Sequence, residues 1–260
     1  MSSLLADFER EREAITKLLQ PDCQERILLF SGESGIGKTQ LLKFCLGKIQ
    51  DPKRKIQIDL KGGIHGITEI FSRSALDLKW DRENLFIRTV TNPQPEPRIQ
   101  VNENSLAGIN NSISVYLNVD RLADREQRRS ELTEAWFGEL AALRYPILIV
   151  MDTFEQATTE VKNWIGGPFL ARVARLEQLR VVIAGQQVPD ANSIEWGHCC
   201  ASYSLSGVPD ARHWLPVVQA MQRRVPFADP LSALGGICAA LKGRPNAIMQ
   251  FLETLPLAEL

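Results

Sequence analysis

The chain has 260 residues, 44% of them hydrophobic, enough for one large core or a core with a small appendage. Lys and Arg number 30 against 31 Asp and Glu, a formal charge of -1, so the broad basic field of a generic nucleic-acid binder is missing and nucleic acid is disfavoured as a partner. The five cysteines show no paired spacing of a zinc site or disulfide framework, and no apolar stretch reaches membrane length, so a reducing cytoplasm and no membrane partner are expected.

In chain order, Leu4, Leu5, Phe8, Ile15, Leu18 and Leu19 lie among charges and predict an amphipathic helix over 4–19, ended by Pro21 and Asp22. Residues 26–31 form an apolar run leading into glycine, the pattern of a buried strand. Behind it Leu41, Leu42, Cys45, Leu46 and Ile49 recur at helical spacing. A strand is expected over 55–60, a break at Gly62 and Gly63, and a helix over 68–78. Residues 80–120 carry a proline-rich run from Pro93 to Pro97, then alternation of Ile113, Val115, Leu117 and Val119. This pattern predicts a loop and an exposed-edge strand or hairpin inserted in the sheet.

A helix follows over 124–144, with Leu132, Trp136, Leu140 and Leu143 on one face, then an apolar strand over 146–152 ending in a carboxylate. A helix over 157–179, a strand over 180–185 and a shorter strand over 202–205 complete the alternation. Helices alternating with all-apolar strands define an α/β fold, a doubly wound, mainly parallel sheet covered on both faces. Beyond Gly207 only helices are expected, over 210–223, 231–241 and 245–255. The predicted division is therefore 1–206 as the α/β sheet domain and 207–260 as a small helical subdomain.

Residues 32–39 read Gly32, Glu33, Ser34, Gly35, Ile36, Gly37, Lys38, Thr39, the pattern G-x-x-x-x-G-K-[ST] between a strand and a helix. Glycines there let backbone N–H groups curl around phosphate while the next helix, entered through Thr39 and Gln40, points its positive end at the anion. Lys38 is expected to neutralise β- and γ-phosphate oxygens and Thr39 to place its hydroxyl on Mg2+. Asp152, at the carboxyl end of a strand, suits the same magnesium. Glu155 is positioned either to polarise an attacking water or simply to favour a helix start. Gln186, directly after the strand over 180–185, either senses the γ-phosphate and orients water or begins a polar loop.

Other features have simpler readings. His198, Cys199 and Cys200 are adjacent without a matching partner pair, which rarely closes a tetrahedral metal site. Arg125, Arg128 and Arg129 read as a solvated helix face, and Trp136, Trp164 and Trp214 as helix faces packed inward. No serine, cysteine or histidine arrangement suggests a covalent nucleophile.

These motifs together resemble the STAND branch of P-loop NTPases, which includes the NACHT and NB-ARC switch proteins. Three segments carry the resemblance: the loop over 32–39 preceded by the charged helix D-F-E-R-E-R-E, the strand I-L-I-V-M-D-T-F-E, and G-R-P at Gly243 to Pro245 opening a helix. Glu9 stands where the opening motif of the family has glycine, and Gln186 where many members place a sensor arginine. The resemblance implies ATP rather than GTP as ligand, consistent with the absence of an N-K-x-D guanine-reading element. It also implies that Pro245 contacts the nucleotide base, and that exchange between ATP and ADP moves the helical part while hydrolysis acts as a slow reset. Self-association or a protein partner is then expected to supply effector and sensor parts, and an arginine finger in trans. The alternatives are a scaffold that retains nucleotide with negligible turnover, and an AAA+-like ATPase acting on nucleic acid.

Overall fold

The computed structural model describes residues 6–61, 66–81, 83–91, 106–118 and 122–258. Leu4, Leu5, Gly62, Gly63, the proline run from Pro93 to Pro97 and Val119 lie outside the described residues. Five strands form one parallel sheet, β1 (Ile27–Ser31), β2 (Lys55–Asp59), β3 (Ile147–Asp152), β4 (Leu179–Gly185) and β5 (Cys200–Ser204), in the spatial order β2-β3-β4-β1-β5. The register aligns Asp59 with Asp152, Ser31 with Gly185 and Ser31 with Ser204. Loops carrying chemistry therefore leave along a single carboxyl edge.

Alternate residues of the three inner strands divide between two cores. Ile27, Leu29, Ile147, Ile149, Met151, Val181 and Ile183 face one, whereas Leu28, Phe30, Leu148, Val150, Val182 and Ala184 face the other. Both faces are dry, so these strands read as continuous apolar runs. At the edge, β2 instead alternates, burying Ile56 and Ile58 while Gln57 and Asp59 stay exposed. A half-covered edge strand needs only one apolar face.

The first core is covered by α3 (Ile67–Asp77), α4 (Leu85–Thr91), α5 (Leu106–Leu117), α6 (Leu122–Ala142) and the segment from α7 (Thr159–Trp164) to α8 (Leu170–Val173). Trp136 is fully buried there, its ring centroid 5.2 Å from that of Phe71 and 6.1 Å from that of Phe169, with Trp164 also in the cluster. The second core holds α1 (Glu9–Leu18), α2 (Lys38–Gly47), α9 (Leu215–Ala220), α10 (Pro230–Ala240) and α11 (Pro245–Thr254). Trp214 is buried in it and donates its Nε1 hydrogen to Val208 O at 2.9 Å.

The structure corrects the reading of residues 80–120, where Leu85–Thr91 form helix α4 in place of the expected loop. Ile113, Val115 and Leu117 belong to helix α5, not to an edge strand or hairpin. Ile109 and Ile113 are buried one helical turn apart against α3 and α4, while Val115 points outward at 53% exposure, so the alternation was incidental to a helical period. The helix expected over 157–179 is also interrupted. Pro168 cannot donate a backbone hydrogen bond, and the chain widens into a π-helix over Ile165–Phe169, with Trp196 Nε1 donating to Gly166 O at 2.8 Å. The helix expected over 210–223 becomes a 3-10 turn at Ala211–His213 followed by α9.

Arg128 and Arg129 tie α6 to its neighbours. Arg125 is exposed; Arg128 donates to Tyr116 O of α5 at 2.6 Å and Arg129 pairs with Glu160 of α7. Arg180, buried within β4, donates to Leu18 O at 2.9 Å and to Glu177 O at 2.5 Å, fastening the end of α1 to the amino edge of the sheet. Its partners are carbonyls, which satisfy the guanidinium without a second buried charge. Among the described residues, no helix is long and apolar enough to cross a membrane.

Candidate functional site

The loop between β1 and α2 curls because two of its glycines adopt positive φ, +81° at Gly35 and +101° at Gly37. A side chain at Gly37 would also meet the Phe8 ring at 3.1 Å, so the start of α1 packs directly on the loop. Helix α2 begins at Lys38, and its free N–H groups open toward the same space. Lys38 Nζ donates to Gly32 O and Glu33 O, each at 2.7 Å, at the mouth of the loop. Burial holds its pKa below the ordinary lysine value, opposed by the charges of Glu155 and Asp152. Glu33, Ser34, Thr39 and Gln40 are exposed, whereas Ile36 turns into the second core.

Thr39 and Asp152 meet across the sheet edge, Thr39 Oγ1 donating to Asp152 Oδ2 at 2.7 Å. The other carboxylate oxygen of Asp152 accepts from Thr153 N at 2.8 Å. Thr153 has φ 60° and ψ 41°, a left-handed conformation that costs a non-glycine residue on the order of 1 kcal/mol or more. That turn starts the short 3-10 helix Phe154–Gln156, which buries Phe154 and brings Glu155 back over the end of β4.

Glu155 Oε2 accepts from Gln186 N at 2.8 Å, and Glu155 O accepts from Lys162 Nζ at 2.6 Å. The backbone of Gln186 is thus fastened to Glu155, while its side chain is exposed. Space for the carboxylate depends on Gly185, because a Cβ there would sit 2.7 Å from Glu155 Oε2 and 2.4 Å from Gln187 O.

The helical segment after β5 reaches the same place. Gly243, with φ +64°, reverses the chain after α10 and accepts from Val208 N at 2.7 Å through its carbonyl. Helix α11 then starts at Pro245, where a missing donor is harmless, and its first turn rests on the loop over 32–39. Asn246 N donates to Gly35 O at 3.1 Å, and Arg244 pairs with Glu33 at 3.3 Å.

Every residue singled out in the sequence, from Gly32 to Gln40 with Asp152, Glu155, Gln186 and Pro245, therefore belongs to this carboxyl edge or the segment lying on it. Four contributors escaped the sequence reading: Asp59, Thr153, Arg244 and Asn246. Asp59 Oδ1 accepts from Lys61 N at 2.9 Å and from Thr153 Oγ1 at 3.3 Å. Its available signal was an alternating strand ending in an acid, just as β3 ends in Asp152. Asn246 acts through its backbone N–H and Thr153 through its left-handed turn as well as its hydroxyl, and residue type does not reveal the backbone part.

A parallel sheet with a glycine-rich loop after β1, and with β4 between that strand and the acid-bearing β3, is the P-loop NTPase fold. The chain is similar to the Walker-type ATPase of Pyrococcus abyssi, with 13% identity and a TM-score of 0.51, over 95% of this chain and 67% of that one. It is also similar to Cdc6p from Pyrobaculum aerophilum, again at 13% identity, with a TM-score of 0.53, over 95% of this chain and 60% of that one. No protein-family model matches the sequence, and no curated protein does. At such identity the likeness defines the fold, and the function has to be argued from the site.

Proposed function

We propose that the chain binds ATP with Mg2+ at this edge, hydrolyses it slowly, and acts as a STAND-type switch whose nucleotide state governs self-association or binding of a protein partner. The observation that carries the nucleotide reading is the 2.7 Å bond from the Thr39 hydroxyl to Asp152, two hard oxygen donors converging beside a loop of positive-φ glycines. These donors fit magnesium, which when bound would screen the charge of the phosphates. Backbone N–H groups of residues 33–39 cradle the phosphates, and Lys38 exchanges its two carbonyl partners for phosphate oxygens.

Glu155 orients the attacking water, held for that task by the backbone of Gln186. Pro245, at the start of α11, faces the nucleotide from the helical segment, and residues 207–260 form the part that responds to its state. The contact of Asn246 with Gly35 gives that response a physical route, because a loop that closes on phosphate bears directly on α11. A switch also requires that the two nucleotides differ in affinity for the two arrangements.

Mass spectrometry of nucleotide co-purifying with the wild type and with Lys38→Ala tests the reading. Adenine nucleotide is expected in the first and not the second, and none in the wild type refutes it. Single-turnover hydrolysis by the wild type and Glu155→Gln then separates a switch from a static scaffold: equal retention of triphosphate by both sinks the switch. The fold suits the AAA+-like alternative equally, and retention on DNA at physiological salt distinguishes that reading.

A further inference from the structure

Asp59 ends β2 beside the end of β3, in register with Asp152. Because Ile56 and Ile58 face the first core, Lys55, Gln57 and Asp59 point to the opposite face. Asp152 shares that face with Leu148 and Val150, so the two carboxylates project on the same side of the sheet. Between them lies Thr153, whose hydroxyl donates to Asp59 Oδ1 at 3.3 Å and whose N–H donates to Asp152 Oδ1 at 2.8 Å. Asp59 is itself fixed by Lys61 N at 2.9 Å.

A continuous relay results: Lys61 backbone to Asp59, Asp59 to Thr153, Thr153 to Asp152, and Asp152 to Thr39. Its middle member is in the left-handed region, which a β-branched residue avoids unless its surroundings hold it there. Were Thr153 to relax, its N–H would leave Asp152 Oδ1 and the carboxylate would lose its aim at Thr39. Asp59 makes no bond to Thr39, so it acts through Thr153.

We propose that Asp59 is a positioning residue for the magnesium side of the nucleotide site: by accepting the Thr153 hydroxyl it locks the turn that aims Asp152 at Thr39. The inference rests on the nucleotide-magnesium reading above. Groups of this kind, bonded to a ligand's neighbour rather than to the metal, commonly change metal affinity 10–100-fold when removed.

The test is the affinity of the full chain for mant-labelled ATP, titrated with magnesium and with EDTA, alongside thermal melting of each variant. Asp59→Ala and Thr153→Val are expected to lose about ten-fold in the magnesium-dependent gain and nothing in EDTA. Asp59→Asn and Thr153→Ser, which keep acceptor and hydroxyl, are expected to stay near wild type. If Asp59→Ala fails to fold, Thr153→Val carries the test. Loss that is equal in EDTA, or no loss in a folded Thr153→Val, overturns the relay, as does a fall in Asp59→Asn without one in Thr153→Val. A wild type with no magnesium-dependent gain refutes the metal-nucleotide reading itself, which separates the two failures.

Discussion

Glu155 and Gly185 fit against each other because Gly185 has no side chain: a Cβ at Gly185 would lie 2.7 Å from Glu155 Oε2. The general-base candidate therefore owes its place to an absent methyl group on the neighbouring strand. Gly185→Ala adds that methyl group against a carboxylate and a backbone carbonyl at 2.4 Å, and the carbonyl cannot swing away. The expected cost is about 1–3 kcal/mol of stability. It is read as a lower melting temperature, with single-turnover hydrolysis lost in the fraction that remains folded.

The bond from Gln186 N to Glu155 separates the backbone of Gln186 from its side chain. Gln186→Ala keeps the N–H and should change single-turnover hydrolysis no more than about two-fold, as for an exposed position. Gln186→Pro removes the donor and should slow hydrolysis roughly as much as Glu155→Gln does, by about 100-fold or more. A large loss in Gln186→Ala would instead assign the side chain to the γ-phosphate.

Burial lowers the Lys38 pKa, whereas bound phosphates favour its charged form. In the free protein Lys38 therefore begins to lose its proton at a lower pH than in the complex. Binding in alkaline solution takes a proton up at this group, so affinity falls as pH rises through the lowered value. Calorimetry in buffers of different ionisation enthalpy at pH about 7 and about 9.5 checks the sign. Proton release at the higher pH would contradict this account of Lys38.

Arg244 and Glu33 are 60% and 77% exposed, so their ion pair should contribute no more than about 1 kcal/mol. Arg244→Ala is expected to leave the melting temperature nearly unchanged. Asn246→Pro removes the backbone donor to Gly35 and should uncouple α11 from the loop. Limited proteolysis within 207–260 measures the coupling. Cleavage should respond to added ATP in the wild type and in Arg244→Ala, and lose that response in Asn246→Pro.

Much of the fold was legible because each inner strand is buried on both faces, so its alternation vanishes into an unbroken apolar run at 27–30, 147–151 and 181–184. The loop at 32–39 was legible because a phosphate cradle needs glycine at fixed intervals, and Asp152 because it ends such a run. Residues 106–117 were misread: the alternation of Ile113, Val115, Leu117 and Val119 fits a strand, and only burial against α3 and α4 shows that Ile109 and Ile113 set the true period. The break at 165–169 did carry a local signal, Gly166, Gly167 and Pro168, which the expectation of one helix over 157–179 passed over.

The sequence by itself determined which residue types stand at or just beyond the strand ends, and so the chemistry available: a lysine, a threonine, three acids and a glutamine. Tertiary structure decided how they are held. The 2.7 Å approach of Thr39 to Asp152, the fastening of Glu155 to the backbone of Gln186, and the docking of Asn246 on Gly35 join positions 113, 31 and 211 residues apart. Strand order and register bring them together, and both are fixed by packing across the whole sheet, which no local stretch of chain encodes.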